Sequence, residues 1–210
     1  MKVALSCIVE GHGDAAALPV LLRRMTERMI PGAVLELGCV LRIPRTRLIK
    51  PGELERAVEL AARKAAGPGG VFVLLDSDDD CPARVGPELL RRAQVARGII
   101  PISVVLARRE FESWFLSAGE SLRGQRGLKK DLEAPDDPES VRGAKEWLSQ
   151  RMVPGRVYSE TLDQPALAAL FDLDAARRAD SFDKCWREVG RLIEQLKKTV
   201  PGKSAGASPS

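Results

Sequence analysis

Short runs of Val, Ile and Leu without a polar face alternate with amphipathic segments along the first half of the chain, at Val3 to Val9, Val34 to Ile43, Val71 to Leu75 and Ile102 to Leu106. A strand covered on both faces has no polar side to present, so these runs predict buried, mostly parallel strands. Between the first two runs Leu18, Leu21, Leu22, Met25 and Met29 recur at helical spacing, and Pro31-Gly32 supplies the stop. A second helix is predicted from near Pro51, with Leu54, Ala57, Val58 and Ala61 on one face, ending before Gly67-Pro68-Gly69-Gly70. A third is predicted to open at Pro87, a favoured first helical residue, and to carry Leu89, Leu90 and Ala93 before Gly98. The resulting order, β-α-β-α-β-α-β, is that of an α/β sheet flanked by helices.

After Leu106 the pattern changes to helices joined by polar loops, with no further convincing strand. Residues 1–116 are therefore expected to form the sheet domain and 117–197 a helical extension packed on it. The last helix, Ser181 to Lys197, puts Phe182, Cys185, Trp186, Val189, Leu192, Ile193 and Leu196 on one stripe, which packing against the sheet explains better than partner binding. Gly127 to Glu139 reads as a charged, proline-containing loop, and 198–210 as a disordered tail. No internal repeat is evident.

Composition supports a folded, globular chain: of 210 residues 44% are hydrophobic and 30% charged. The net charge of +4, from 33 basic and 29 acidic residues, is a weak argument for a polyanionic partner. Its distribution says more. Basic residues gather at Arg42 to Arg47, at Arg108-Arg109 and from Arg123 to Lys130, although a solvated surface is the commoner explanation of any one cluster. Cys7, Cys39, Cys81 and Cys185 are far apart, with no Cys-x-x-Cys pair and His12 the only histidine, so a structural zinc site is not expected. No stretch approaches the roughly 20 apolar residues of a membrane span, and the apolar start at Val3 is interrupted by Glu10 too soon for a signal peptide. A reducing cytoplasm is the expected location.

Two acidic constellations carry candidate chemistry. The first, Val9-Glu10-Gly11-His12-Gly13-Asp14, closes strand one and opens the following helix. It lacks the spacing and lysine of a phosphate-binding P-loop, and Ala16 stands where a dinucleotide fingerprint needs its third glycine. Glu10, leaving the carboxyl end of a strand, faces the crevice where open α/β sheets place their ligands. The second is Asp76-Ser77-Asp78-Asp79-Asp80, which ends the apolar run Val71 to Leu75. Alternation along an extended strand end would send Asp76, Asp78 and Asp80 one way and Asp79 the other. Crowded carboxylates repel and rise in pKa unless a cation compensates, and a hard divalent ion with oxygen ligands is the simplest compensation. Glu10 and two of these aspartates would suffice for magnesium or manganese. An EF-hand is excluded, because Cys81 and Pro87 occupy the positions of its glycine and closing glutamate.

Glu110 and Glu112 follow the fourth strand and are expected near the same sheet edge, where either could complete a second metal site. The competing explanation is favourable acidic charge at a helix N-terminus; function is the expectation for Glu112, while Glu110 stays open. Arg108 and Arg109 are candidate phosphate contacts beside the acids, as is Lys145, for which an exposed helix lysine is the commoner explanation. His12 is read as a solvated turn histidine, and Trp114 and Phe115 as packing residues.

Glu10 in its Glu-Gly-x-Gly-Asp setting, followed by Asp76-Ser77-Asp78 at a later strand end, resembles the TOPRIM domain of topoisomerases, primases and overcoming-lysogenization-defect nucleases. A closer resemblance runs through Arg109-Glu110-Phe111-Glu112-Ser113-Trp114-Phe115, Lys145-Glu146-Trp147-Leu148, Asp163-Gln164 and Ser181-Phe182. These look like an uncharacterised bacterial TOPRIM-like family often linked to defence against mobile DNA. The resemblance implies Glu10 as metal ligand or general acid/base, Asp76 and Asp78 as magnesium ligands and Asp80 at a second ion. It implies a nuclease acting on DNA or RNA. The alternative is a noncatalytic module that binds metal or nucleotide and acts through a partner ATPase, since this chain has no P-loop. A glycosyltransferase reading of Asp-x-Asp is disfavoured by Glu10, an acid where such a fold would place nucleotide contacts.

Overall fold

The computed structural model describes residues 1–65, 67 and 69–199. Four strands, β1 (Lys2–Val9), β2 (Val34–Arg42), β3 (Gly70–Asp76) and β4 (Ile102–Ala107), form one sheet in the order β2-β1-β3-β4. Every pairing is parallel, so the expected mostly parallel sheet is wholly parallel.

Alternation explains why these runs lack a polar face. Val3, Leu5, Cys7 and Val9 of β1, Phe72 and Leu74 of β3 and Val105 of β4 enter one core. Ile8, Val71, Val73, Leu75, Ile102, Val104 and Leu106 enter a second core on the opposite face. Successive side chains on a strand point to opposite sides, so a strand with helices on both sides needs apolar residues on both faces; Ser6 of β1 and Ser103 of β4 are buried polar exceptions.

The first core is roofed by α1 (His12–Met29) and α9 (Asp180–Thr199), the second by α3 (Glu53–Lys64) and α4 (Pro82–Arg97). A single turn, α2 (Arg45–Leu48), follows β2. Gly32, at φ +78°, takes the left-handed conformation in the stop after α1, where a side chain would be strained. One boundary differs from expectation. The third crossover helix opens at Pro82 rather than Pro87, which lies inside α4. Both prolines satisfy the sequence rule, and Pro82 takes the first-turn position where the missing N–H costs nothing.

Beyond β4 come α5 (Ser113–Ser117), a 3-10 turn (Gly119–Leu122), α6 (Ala144–Gln150), α7 (Glu160–Ala168), α8 (Leu173–Ala176) and α9. No further strand occurs among the described residues, only an isolated antiparallel bridge between Leu128 and Met152. This extension shares the first core with the sheet. Phe111, Trp114, Phe115, Phe171 and Phe182 pack as a chain of tilted and edge-to-face rings with centroids 4.8–5.5 Å apart, each pair adding about 0.5–1.5 kcal/mol beyond its burial. Trp114 and Phe115 are therefore core residues, as expected. The stripe of α9 packs on β4 and α1. The tail expected over 198–210 begins two residues inside α9, and its remainder lies outside the described residues. Among the described residues no helix is long and apolar enough to cross a membrane.

Candidate functional site

From β1 the chain crosses to β2 on one side, and from β3 to β4 on the other, so the order reverses between β1 and β3. Such a switch point opens a crevice at the carboxyl ends of the strands. Glu10 follows β1 directly, Asp76 is the last residue of β3, and Glu112 follows β4 at the start of α5. The backbone N–H of Asp76 donates to Glu10 Oε1, and that of Phe111 donates to Asp76 Oδ1 at 2.9 Å. These bonds tie the three strand ends together through carboxylates rather than main-chain pairs alone. A cavity of about 360 Å³ opens there, lined among others by Glu10, Asp14, Arg45, Asp76, Asp78, Lys145, Glu160 and Gln164.

Asp14, in the first turn of α1, is held from two sides. Gly11 N donates to its Oδ2 at 2.9 Å and Gln164 Nε2 of α7 to its Oδ1 at 2.8 Å. Gly13 makes this approach possible, because a Cβ there would lie 1.7 Å from Gln164 Oε1 and 2.9 Å from the Glu160 carbonyl. Opposite, Lys145 of α6 reaches Glu160 at 2.6 Å and Glu110 at 3.6 Å. The other Glu110 oxygen accepts from Ala144 N at 3.2 Å, so this glutamate serves the N-terminus of α6.

The electrostatics follow from crowding. Burial pushes the Glu10 carboxyl above its ordinary range, with the charges of Asp14 and Asp78 adding to the effect and Arg45 opposing it. Asp76 is pushed well above the usual range by burial and then by Asp14, Glu112 and Glu10, against the pull of Lys145. Glu112, 1% exposed, is pushed up to about 7 by burial, although Lys145 and the Tyr158 hydroxyl favour its charged form. That hydroxyl donates to Glu112 Oε1 at 3.0 Å, while Oε2 is buried with no hydrogen-bond partner among the described residues. Burial disfavours the Lys145 ammonium, but Glu112, Glu160 and Asp76 outweigh it and raise its pKa.

The acidic run after β3 does not continue as a strand. Ser77 N donates to Ala107 O at 2.9 Å and Asp78 N to Arg109 O at 3.1 Å, after which Asp78 turns at φ +49°. The expected common direction of Asp76, Asp78 and Asp80 is thus broken. Asp76 stays half-buried at the strand end, whereas Asp78 and Asp80 both pair with Arg45, Asp78 at 3.5 Å. Asp79 pairs with Arg109 at 2.9 Å and Arg142 at 2.7 Å. Asp78 lines the carboxylate cavity; Asp80 does not. Alternation failed because the turn, not strand geometry, orients these residues.

Of the expected phosphate contacts, Lys145 lines the cavity and Arg109 is engaged with Asp79. Arg108 lines a different cleft of about 480 Å³ between α4 and α9, where its N–H donates to Ser181 Oγ at 3.0 Å. His12 is exposed. Among the described residues no group of three or more His, Cys, Asp or Glu side chains stands ready to hold a metal ion. Asp14, Arg45, Tyr158, Glu160 and Gln164 were not foreseen as site residues. Asp14 and Gln164 lay within motifs already singled out, but no local signal pairs α1 with α7.

No curated protein and no solved structure matches this chain. A family model described as a domain of unknown function (DUF4276) matches residues 9–190. That span runs from the end of β1 into α9 and includes every residue of the carboxylate cavity. The chain belongs to this domain family of unknown function, DUF4276.

Proposed function

We propose that this chain is a divalent-metal-dependent phosphodiesterase that hydrolyses nucleic acid, with its site at the carboxyl ends of β1, β3 and β4. The carrying observation is the convergence of half-buried Glu10 and Asp76 with Asp14 and Lys145 on one cavity at the switch point of a parallel sheet, with buried Glu112 behind them close enough for its charge to raise the Asp76 carboxyl. The TOPRIM resemblance of the same residues points to the same chemistry, including a role as a defence effector.

The donor set fits magnesium or manganese in type. Its oxygens are hard carboxylate donors, and the orphaned Glu112 Oε2 is a buried acceptor. A bound divalent ion would offset the repulsion among the acids and neutralise charge on an attacked phosphate. The chain's own residues supply the rest. Glu10 and Asp76 are oriented by backbone donors, Gln164 and Gly11 fix Asp14, and Lys145 presents a permanent cation to phosphate oxygens. Glu112, near 7, can take or give a proton at neutral pH. Cys7, Cys39, Cys81 and Cys185 are all free thiols, which suits a reducing cytoplasm.

A second reading, a noncatalytic module working through a partner ATPase, is favoured by one observation. Arg45, Arg109 and Arg142 already occupy Asp78, Asp79 and Asp80.

The test is cleavage of labelled DNA and RNA by the purified chain with magnesium, manganese or chelator, beside folded Glu10→Ala and Asp76→Ala variants. Metal-dependent cleavage lost in both variants supports the phosphodiesterase. Metal binding without cleavage, lost in both, moves the assignment to the partner-dependent module. No metal binding rejects the site.

A further inference from the structure

Residues 123–130 and 151–157 form a lobe beside the carboxylate cavity. Their backbones run antiparallel past one another, with Lys129 N donating to Arg151 O at 2.9 Å and Val153 N to Gly127 O at 2.8 Å. Leu128 and Met152, paired in the bridge, point into the core. The basic residues around them face outward: Arg123, Arg126, Lys129, Lys130 and Arg156 are exposed, and Arg151 lies 3.6 Å over the Trp147 ring.

Six cations on this lobe meet two carboxylates, Asp163 through ion pairs and Glu120 through the charge of Arg123 alone. Asp163, whose side chain is 1% exposed, pairs with Arg156 at 3.0 Å and Arg126 at 3.3 Å, leaving those guanidinium side chains 42% and 41% exposed. Among the described residues no salt bridge engages Arg123, Lys129, Lys130 or Arg151, and Asp131 and Glu133, next on the chain, make none with the lobe. An ordinary solvated face intersperses both signs. Here cations outnumber the acids that reach them by six to two.

The lobe also leads to the cavity. Arg156 is two residues before Tyr158, whose hydroxyl holds Glu112. Asp163 lies on α7 between Glu160 and Gln164, both of which line the cavity.

We infer that this lobe is a nucleic-acid-binding surface, a track for the phosphate backbone of a strand entering the carboxylate cavity. Where the strand leads rests on the phosphodiesterase reading; the binding itself rests on charge and geometry. Lys and Arg grip phosphates without reading sequence. Val157, 74% exposed between Arg156 and Tyr158, adds apolar surface for sugars and bases.

The experiment is fluorescence anisotropy of the full chain with labelled single strands of DNA and of RNA, in chelator so that nothing is cleaved, over a salt series. Lys129→Ala/Lys130→Ala is expected to weaken binding about tenfold and to reduce the slope of log K against log salt by about 1.4, roughly 0.7 for each phosphate no longer neutralised. Arg84→Ala/Arg91→Ala, the same charge loss on the exposed face of α4, should leave affinity within about twofold. Lys130→Glu alone should act in the same direction as the lysine pair, which guards against a folding defect in the double variant. Absence of binding by the wild type, or equal binding by the lysine variants, overturns the inference. Binding that Glu10→Ala retains, in a chain that never cleaves, keeps the lobe and removes the phosphodiesterase reading; cleavage with unaffected lysine variants does the reverse.

Discussion

The main-chain N–H of Asp76 donates to the Glu10 carboxylate, joining the ends of β1 and β3 at the point where strand order reverses. The bond gives one Glu10 oxygen a fixed partner and sets Asp76 beside it. Two acids held this close in a buried crevice need a compensating cation or a shared proton.

That need gives a thermal prediction. On the proposed metal-dependent reading, magnesium or manganese would bind the folded chain and not the unfolded one, so saturating metal should raise the melting temperature, by an amount corresponding to about 2.7 kcal/mol at one hundred times Kd. Asp76→Asn should abolish the shift. A melting curve indifferent to metal would reject the ion.

Glu112 makes stability depend on pH with a definite sign. Its folded pKa of about 7 lies above the ordinary 4.5. The folded state therefore keeps a proton that the unfolded state has lost, and stability falls as pH rises from 4.5 to about 7. Glu112→Gln mimics the protonated form and keeps the Tyr158 bond. It should remove this slope and stabilise the chain at pH above 7 by on the order of 1–3 kcal/mol, read by urea unfolding at several pH values. A steeper slope in the variant would contradict the assignment.

Tyr158→Phe removes the hydroxyl donor to Glu112 Oε1, whose neighbour Oε2 already lacks a partner. Leaving a buried carboxylate without donors should cost about 1–3 kcal/mol. The loss should shrink at low pH, where Glu112 is protonated, and denaturant titrations at two pH values would show it.

Gly13→Ala tests the seam between α1 and α7. The new methyl would collide with Gln164 and the Glu160 backbone, pushing α7 away and breaking the bond between Gln164 and Asp14. Destabilisation of about 1–3 kcal/mol is expected, with loss of metal response even in folded protein. A fully wild-type metal response would show that Asp14 needs no support from α7.

All four strands were legible as apolar runs, and three crossover helices as periodic stripes, because burial on one face or two imposes its period within a few residues. The boundary at Pro82 was not, since two prolines offered the same local signal. Glu10, Asp76 and Glu112 could be placed near one another because each ends a strand or follows one closely, and parallel strands bring such ends to the same edge. The fate of Asp78, Asp79 and Asp80 was not legible. It depends on Arg45, Arg109 and Arg142, from three separate segments, and on a turn in which Asp78 adopts a positive φ.

The sequence by itself determined the layered parallel sheet, the acids at its carboxyl edge and the apolar stripe of α9, since each follows from hydrophobic periodicity over a single element. Only the tertiary structure decided which charges meet. It set Gln164 on Asp14 across 150 positions and Tyr158 on Glu112 across 46, and it sent Arg108 to a different cleft. Side-chain pairing depends on how distant helices pack, and no local period in the chain encodes that.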